Sequence, residues 1–501
     1  MNIRPYLLSA ILLSAGAAAF AQDETDALRY SHLAPQGTAR SMGIGGALGS
    51  IGGDFSSLSV NPAGIGVYRS SEFTFTPSLK MNNSSSTYTG TAADDNATRF
   101  TINNLGLVLS SAARGKRYEK SKWKSVSFGF GLNRIADFSN NYTYSGYNNT
   151  SSASEIFAID ANSYPMDTSN LSTLAGLGYE SFLIDKFQGT EWGTVADWQG
   201  GLNQQRSVIQ KGGITDMAIS LGGNYMEKLM LGATLGIPVV RYKREVTYTE
   251  SDASGNANND FDNFQYRETL TTTGSGVNLK LGAIYKPADA FRIGLAVHTP
   301  TYFGLKDVQN RTVTSNTENF KRDLGYGDNP VTRVDAPENI YEYNLLTPWR
   351  GVVSATGLFG KYGFITADYE FVNYASARFN FDGNNRDYQT MINQSIKNTY
   401  KAASILRVGA EGRIDAFSIR LGFGYYGSPY KNSAIDGSSM TFSGGVGFRS
   451  ESWFLDLGFM HTQSESQETP YTLSYIPPVT VPTATIKNSF NNVALTLGFR
   501  F

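Results

Sequence analysis

The stretch Val493-Ala494-Leu495-Thr496-Leu497-Gly498-Phe499-Arg500-Phe501 closes the chain with a strict alternation. Its odd-numbered residues are large and apolar, whereas its even-numbered residues are small or polar. A period of two places these two sets on opposite faces of a β-strand. A final strand of this kind that ends on an aromatic residue is typical of bacterial outer-membrane barrels. The last strand of a soluble β-sandwich is the alternative for this stretch alone.

The N-terminus predicts export. Arg4 is followed by the apolar stretch 6–18 and by Ala19-Phe20-Ala21, which fits the small-x-small cleavage rule. We therefore expect a signal peptide at 1–21. The apolar stretch is too short for a transmembrane helix, and no later run of ~18 apolar residues follows it.

The composition narrows the class of protein further. The 501 residues carry a net charge of −1, which gives no reason to expect nucleic-acid binding. The chain has no cysteine, which excludes disulfides, thiolate metal sites and lipoprotein processing. It is rich in glycine (52), tyrosine (29) and phenylalanine (30). An exported chain with many aromatic residues and glycines fits a β-barrel.

Alternating segments recur along the chain and predict an all-β fold, a membrane-spanning antiparallel barrel of about 14 strands. We place the strands at 71–81, 103–112, 124–147, 215–225, 228–247, 264–286, 290–304, 340–359, 362–374, 398–414, 417–428, 439–450, 453–465 and 485–501. Short turns alternate with long polar connections, as between the two sides of an outer-membrane barrel. The barrel domain is therefore expected at 71–501, with long extracellular loops at 148–214 and 305–339.

The alternation also assigns the faces of the strands. Apolar residues such as Phe128, Leu295 and Leu457 should contact lipid, and the charged residues of the other parity should face the lumen. A charge on the lipid face near the midplane would cost ~2–4 kcal/mol for Arg or Lys. The predicted luminal charges are Lys280, Arg292, Asp368, Glu370, Arg407, Glu411, Arg420, Asp456 and Arg500.

Two regions fall outside this pattern. Loop 148–214 is expected to contain helices at 153–161 and 168–188. Residues 22–70 are rich in glycine and serine and precede the first strand, with one possible short helix at 39–48. A barrel of this size has a lumen wider than side chains can fill. We therefore expect 22–70 to form a hatch, or plug, inside the lumen.

Asn61-Pro62-Ala63-Gly64 is the sharpest motif in this hatch, because Asn-Pro initiates turns. In its context it resembles the NPA motif of the FadL family of outer-membrane transporters of long-chain fatty acids and hydrocarbons. Residues 282–294 and 419–429 also resemble strand–turn–strand and strand segments of that family. The resemblance extends over nearly the whole mature chain.

The resemblance implies passive uptake of a hydrophobic small molecule, with long-chain fatty acids as the type. The ligand would bind in the barrel, and hatch movement would release it through a lateral opening in the wall. Glycines or prolines that interrupt a strand are candidates for that opening: Gly129, Gly131, Pro238, Pro300 and Pro348. Arg407, Arg420 and Lys280 could bind a carboxylate head group, although a ladder of luminal ion pairs is the alternative for each.

The resemblance also implies a monomer in the outer membrane of a Gram-negative bacterium, surrounded by its lipids and assembled through Phe501. No catalytic residue, metal site or cofactor is expected, because none of the three histidines stands in a nucleophile motif. Other functions remain open: a receptor for haem or another porphyrin, with His32 as the candidate axial ligand; a general diffusion porin; and an adhesin.

Overall fold

One closed antiparallel sheet forms the body of the protein in a computed structural model, which describes residues 23–34, 36–163, 168–187, 191–320, 331–381, 385–475 and 479–501. The first strand, β1 (Glu72–Tyr88), pairs with the last, β21 (Ala484–Arg500), from Glu72 opposite Arg500 to Thr87 opposite Thr485. This pairing closes the barrel. The signal peptide predicted at 1–21 lies outside the described residues.

The other strands follow in chain order: β2 (Thr91–Ala112), β3 (Trp123–Asp137), β4 (Asn140–Asn148), β5 (Ile184–Phe187), β6 (Glu191–Thr194), β7 (Leu202–Tyr225), β8 (Leu229–Asp252), β9 (Asn263–Ala288), β10 (Phe291–His298), β11 (Tyr302–Asn316), β12 (Val331–Asp335), β13 (Asn339–Leu346), β14 (Arg350–Leu358), β15 (Gly363–Asn373), β16 (Arg378–Asn380), β17 (Ala402–Ile414), β18 (Phe417–Tyr426), β19 (Ser439–Arg449) and β20 (Trp453–Glu468). The α-helices are α1 (Glu24–Ser31), α2 (Ala39–Gly43), α3 (Gly115–Lys120), α4 (Glu155–Asn162), α5 (Thr173–Glu180) and α6 (Arg386–Thr399), and short 3₁₀ helices lie at Phe55–Ser59, Pro62–Val67, Thr168–Asn170 and Tyr374–Ser376.

Nineteen strand segments belong to the main sheet, and five of them continue an interrupted strand. β3 continues into β4, β10 into β11, β12 into β13 and then β14, and β15 into β16. The barrel therefore has fourteen strands, as the sequence predicts. β5 and β6 form a separate hairpin in the loop between β4 and β7.

Connections at the two ends of the barrel differ in length. At the short-turn end, Asp415–Ala416 joins β17 to β18 and Ser450–Ser452 joins β19 to β20. At the long-loop end, loop 148–214 is shorter than expected, because its last part forms β7 from Leu202. The prediction of a loop at 305–339 is also wrong for the residues that the structure describes there, since β11 pairs with β9 as far as Asn316. These strands extend into water, where apolar alternation is not required.

Two helix predictions are also corrected. Instead of one helix over 168–188, the chain forms α5 and then turns at Phe182, whose φ of 62° is left-handed and ends the helix. The helix expected at 39–48 ends at Gly43. Among the described residues, no helix is long and apolar enough to cross a bilayer.

The faces of the strands agree with the alternation. Phe128, Leu295 and Leu457 are exposed on the outer wall, whereas the charged residues of the other parity face the lumen, and most of them are buried. The described residues between 23 and 71 fill the lumen, because they contact inward-facing groups on opposite sides of the barrel. These contacts include Ala39 N–Thr496 Oγ1 (2.7 Å), Gly49 N–Asp368 Oδ2 (2.9 Å), Ser50 Oγ–Thr356 Oγ1 (2.7 Å) and Asn61 Nδ2–Ala283 O (3.3 Å).

Candidate ligand cavities and wall discontinuity

Residues 38–68, here called the docked hatch, pack their backbone directly against glycines of the barrel wall. A Cβ atom built on Gly282 would lie 1.9 Å from Asn61 Oδ1, and one on Gly232 would lie 2.3 Å from Pro62 O. Hatch backbone also meets Gly294, Gly409, Gly422 and Gly458, whereas the hatch side chains Phe55, Leu58 and Ile65 occupy the space at Gly106, Gly129, Gly131 and Gly222. Because the wall has no side chain at these positions, the hatch lies close to it and has little room to shift.

The Asn61-Pro62-Ala63-Gly64 motif forms part of this contact. Asn61 Oδ1 accepts a hydrogen bond from Ala63 N (3.1 Å) and caps the 3₁₀ helix Pro62–Val67, while Pro62 occupies its first turn. Asn61 Nδ2 donates to Gly49 O (2.6 Å). A short side chain with both an acceptor and a donor is therefore needed at position 61.

Buried ion pairs join the hatch to the wall and the strands to one another. Arg40 of α2 binds Glu411 (Nε–Oε2 3.0 Å), which also binds Arg420 (Nε–Oε2 2.7 Å). Arg420 in turn binds Asp456 (Nη1–Oδ1 2.6 Å). Removing one member of such a buried network would leave an unpaired charge.

The three cations predicted to bind a carboxylate head group lie in these networks. Lys280 Nζ is 2.6 Å from Asp216 Oδ2, and Arg407 Nη2 is 2.7 Å from Glu370 Oε2. Arg420 is engaged by Glu411 and Asp456, so the three do not converge on one cavity. A head-group role stays a prediction, in which a ligand would have to compete with a carboxylate of the protein.

A cavity of about 350 Å³, here called the outer cavity, opens toward the long-loop end. α1 forms one side, the junction of β3 and β4 another, and the loop after β18 and the end of β20 the rest. Its apolar lining comprises Leu28, Ala34, Ala136, Phe138, Tyr430 and Ile435. Its volume lies at the small end of the range of ~300–1,000 Å³ for ligand pockets.

The charged residues around the outer cavity either form ion pairs or are unpaired acids. Arg29 pairs with Asp26 and lies 4.4 Å from the ring centre of Tyr242. Asp137 pairs with Lys80 (2.8 Å). The remaining charged lining residues, Asp436 and Glu465, are exposed acids. Among the described lining residues, no unpaired cation faces the cavity.

Smaller cavities lie deeper in the lumen, on the other side of residues 30–34. One of about 30 Å³ is lined by Leu33, Val60, Asn133 and Ile135, and one of about 20 Å³ shares Leu33 and Ile135 with it. The N-terminal segment, defined as residues 23–37, therefore separates the outer cavity from two inner cavities.

The barrel wall is discontinuous beside the first inner cavity. β2 pairs with β3 only up to Asn104 opposite Asn133; beyond this point β2 pairs with β1 alone and β4 with β7 alone. β3 also has an irregular register against β7 between Arg134 and Ala136. The backbone ladder between β2 and the β3–β4 strand is thus lost in the upper half of the barrel, where side-chain hydrogen bonds still join the strands: Arg99 Nη2 donates to Asn141 Oδ1 (3.2 Å) and Thr143 Oγ1 donates to Asp95 Oδ2 (3.1 Å).

The N-terminal segment satisfies the strand edge at this discontinuity. Ala34 N donates to Ile135 O (3.0 Å), and Gln36 N donates to Arg134 O (3.3 Å). Ser59 of the docked hatch accepts from Asn133 Nδ2 (3.0 Å). The segment therefore acts as a short backbone patch where β2 has separated from β3.

Pro300 and Pro348 interrupt two other strands at the same height, but threonines bridge the interruption. Thr301 N donates to Thr347 Oγ1 (2.8 Å), Thr347 N donates to Thr301 O (3.0 Å), and Leu279 N donates to Thr299 Oγ1 (2.9 Å). These bonds replace the missing ladder. Both interruptions are therefore bridged, and the β2–β4 border differs in having lost its backbone ladder over a longer stretch.

A third interruption lies above Asn373 and Ala402, where the pairing of β15 with β17 stops. β16 moves across to pair with β13, and α6 covers its free edge. Asn393 of α6 bonds both Phe379 N (2.8 Å) and Phe379 O (3.0 Å) through its side-chain amide. The helix thereby replaces a neighbouring strand.

His32 lies on the N-terminal segment and lines the outer cavity. Its ring packs against Tyr374 and Tyr426, with ring centres 6.3 Å and 6.0 Å away. Burial, together with the nearby charge of Arg350, lowers the pKa of His32 to about 4. Its role as a haem ligand stays a prediction.

No protein-family model matches the sequence, and no curated protein matches it. Solved structures do match. A FadL homologue from Pseudomonas aeruginosa aligns over 94% of this chain and 100% of its own, with a TM-score of 0.55 and 13% identity. The chain has the FadL fold. The toluene transporters TodX of Pseudomonas putida (TM-score 0.53, 14% identity) and TbuX of Ralstonia pickettii (TM-score 0.52, 15% identity) each align over 94% of this chain and 99% of their own.

TodX and TbuX are toluene transporters. At these identities the likeness establishes the fold, and ligand specificity must come from this chain's own residues.

Sequence reasoning did not find the contact between residues 34–36 and β3. Its one local signal is the pair Ile135-Ala136, two consecutive apolar residues in an otherwise alternating strand, which marks a bulge.

Proposed function

We propose that the protein is a passive outer-membrane transporter of hydrophobic small molecules. A ligand would enter the outer cavity from the extracellular, long-loop end and leave sideways between β2 and the β3–β4 strand. The observation that carries this proposal is the position of the N-terminal segment: it separates the outer from the inner cavities and patches the strand edge at the discontinuity.

The apolar lining of the outer cavity supplies the affinity. Transfer of apolar surface from water is worth roughly 25 cal/mol per Å². A neutral hydrocarbon suits this cavity better than a carboxylate, because the cations near it are paired and its exposed charges, Asp436 and Glu465, are acidic. Long-chain fatty acids are the second candidate, with Arg407, Arg420 or Lys280 as head-group contacts deeper in the lumen.

Hatch movement in this proposal is limited to the N-terminal segment. The docked hatch stays in place because its backbone contacts wall glycines, with Asn61-Pro62-Ala63-Gly64 as one anchor. Displacement of residues 31–37 would join the outer and inner cavities and free the edge of β3. A ligand that occupies the outer cavity would favour this displacement only if it binds the displaced state better.

The same proposal places the protein in the outer membrane of a Gram-negative bacterium, with the short-turn end in the periplasm. Lipid would surround the apolar outer wall, and the assembly machinery would recognise Phe501. One chain encloses the hatch and the cavities, which supports a monomer.

A disulfide across the gate tests this mechanism, because the chain has no native cysteine. Ala34 and Ala136 both face the outer cavity, and the backbones next to them are hydrogen-bonded. In oxidised A34C/A136C protein in liposomes we expect dodecane to bind but its transfer into the bilayer to stop. Reduction should restore transfer, and the single variants A34C and A136C should behave as the wild type. Unchanged transfer through the oxidised protein would refute gating by this segment.

A further inference from the structure

The link between β2 and β3 carries a concentrated positive charge. Residues 114–124, here called the basic turn, contain six cations and one acid, Glu119: Arg114, Lys116, Arg117, Lys120, Lys122 and Lys124. The chain as a whole is balanced, with 42 Lys and Arg against 43 Asp and Glu. The cluster is therefore a local feature of the short-turn end.

Five of these cations are exposed, Lys124 is half-buried, and all six lack carboxylate partners among the described residues. No residue of α3 is buried, and within the described part of the chain no ion pair involves any of the six. The short turn between β9 and β10, by contrast, pairs its charges, with Lys286 Nζ 2.7 Å from Asp289 Oδ1. The basic turn thus presents a positive surface that the protein itself does not neutralise.

The basic turn is held in one position. Tyr118 Oη donates to Glu227 Oε1 (2.7 Å), and Met226 N of the neighbouring turn donates to Lys122 O (2.7 Å). Glu227 also pairs with Arg69, so it does not neutralise the cluster. Lys124 Nζ lies 4.4 Å from the ring centre of Tyr118.

This surface adjoins the part of the barrel that faces lipid. Trp123 is 46% exposed on the outer wall and packs edge-to-face on Tyr225, with ring centres 5.5 Å apart. Val126 and Phe128 continue the apolar surface toward the midplane. Because Trp and Tyr mark the membrane interface, the cations of the basic turn lie at the depth of lipid head groups.

We propose that the basic turn is a binding site for anionic phospholipid head groups of the leaflet at the short-turn end. The negative phosphates complement the unpaired Lys and Arg side chains. The long aliphatic parts of these side chains let their charged ends reach the membrane interface. Trp123 lies next to them on the side that faces the acyl chains. Clusters of four to eight basic residues beside a membrane typically recognise such lipids. A lipid held here would lie below the β2–β3 discontinuity, at the strands that border it.

Native mass spectrometry of the full-length mature protein with defined lipids tests the site. The probes are phosphatidylglycerol and phosphatidylethanolamine with identical acyl chains. The test variant is K116Q/R117Q/K120Q/K122Q. The control variant, K186Q/R267Q/K306Q/R333Q, removes the same charge from exposed positions at the long-loop end.

We expect the wild type and the control to retain phosphatidylglycerol over phosphatidylethanolamine, and the test variant to bind phosphatidylglycerol at least about tenfold more weakly. Equal losses in both variants would show an effect of net charge alone and would overturn the proposal. Retention of the preference by the test variant would also overturn it, as would specific capture of an acidic periplasmic protein without any lipid preference. If the test variant does not fold, the wild type alone decides: without a salt-sensitive preference for phosphatidylglycerol the proposal fails.

Discussion

The docked hatch and the N-terminal segment lie in the same lumen but are attached to the wall in different ways. The docked hatch places its backbone on wall glycines and joins the wall through the Arg40–Glu411 pair. The N-terminal segment is bordered by cavities on both sides. Its wall contacts include the hydrogen bonds of Ala34 and Gln36, a bond from Arg350 to Ser31 O, and the rings around His32.

The difference shows how one lumen can contain both a permanent and a removable part. Glycine-on-backbone contacts cannot slide without a steric clash, and a buried ion pair cannot open without leaving a charge in a poorly solvated place. The part of the N-terminal segment that lies between cavities has space to move into, whereas Ala27 and Tyr30 of α1 are fully buried in a large apolar cluster. We therefore expect changes in the docked hatch to affect folding, and changes in the N-terminal segment to affect gating.

The largest expected effect comes from Glu411→Gln. This change leaves Arg40 without its partner and weakens the hold on Arg420, so the hatch and wall should lose ~3–5 kcal/mol of stability. The measurement is urea unfolding in liposomes, with heat modifiability on gels as a check of barrel folding. Glu342→Gln is the control, because Glu342 is 74% exposed and 3.6 Å from Lys306. A surface pair of this kind is worth ~0–1 kcal/mol. Equal losses in the two variants would contradict the proposed anchoring of the hatch.

Gly282→Ala should have the next largest effect. Its new methyl group would collide with Asn61 Oδ1, and overpacking of this kind costs ~1–3 kcal/mol. We expect lower stability to urea and faster cleavage of the hatch by protease added at the short-turn end. Gly357→Ala is the matched control, since nothing lies within 4 Å of a Cβ at that position. If both variants are as stable as the wild type, the contact between Gly282 and Asn61 does not hold the hatch.

The fold follows from the sequence because lipid imposes a simple rule. Residues such as Phe128 and Leu295 must face lipid, and Arg407 and Asp456 must not, so the two-residue period reveals both the strands and their faces. The rule ends where the membrane ends. β11 and β7 continue into water without apolar alternation, so those parts have the sequence pattern of loops.

The candidate site was predictable only in part. The motif at Asn61 and the luminal charges were found from the sequence. The pairing of Lys280 with Asp216 and of Arg40 with Glu411 was not predicted. Glu411 lies 371 positions from Arg40 and Asp216 lies 64 positions from Lys280, and no local pattern encodes either pair. The patch at residues 34–36 was missed because backbone groups form it, and backbone groups are present in every sequence.

His32 provides the smallest expected effect and the sharpest probe of the N-terminal segment. Its pKa is lowered from 6.5 to about 4 because burial disfavours the imidazolium and Arg350 repels it, while Glu370 acts in the opposite direction. Between these two pH values His32 binds a proton when the N-terminal segment is displaced, but not when the segment is in place. The in-place state of the N-terminal segment is therefore favoured above pH 6.5 and loses up to roughly 3 kcal/mol of its advantage as the pH falls to about 4.

A spin label on T25C, in the outer cavity, should report this shift as increased mobility at pH 4.5 relative to pH 7.5. His32→Gln with the same label should remove most of the pH dependence, because the glutamine does not titrate in this range. A label at Ser70, beyond the docked hatch, should be insensitive to pH in both proteins. If mobility at T25C does not change with pH while the barrel stays folded, the segment is held by more than the contacts around His32. Displacement by ligand would then require a larger difference in affinity between the two states.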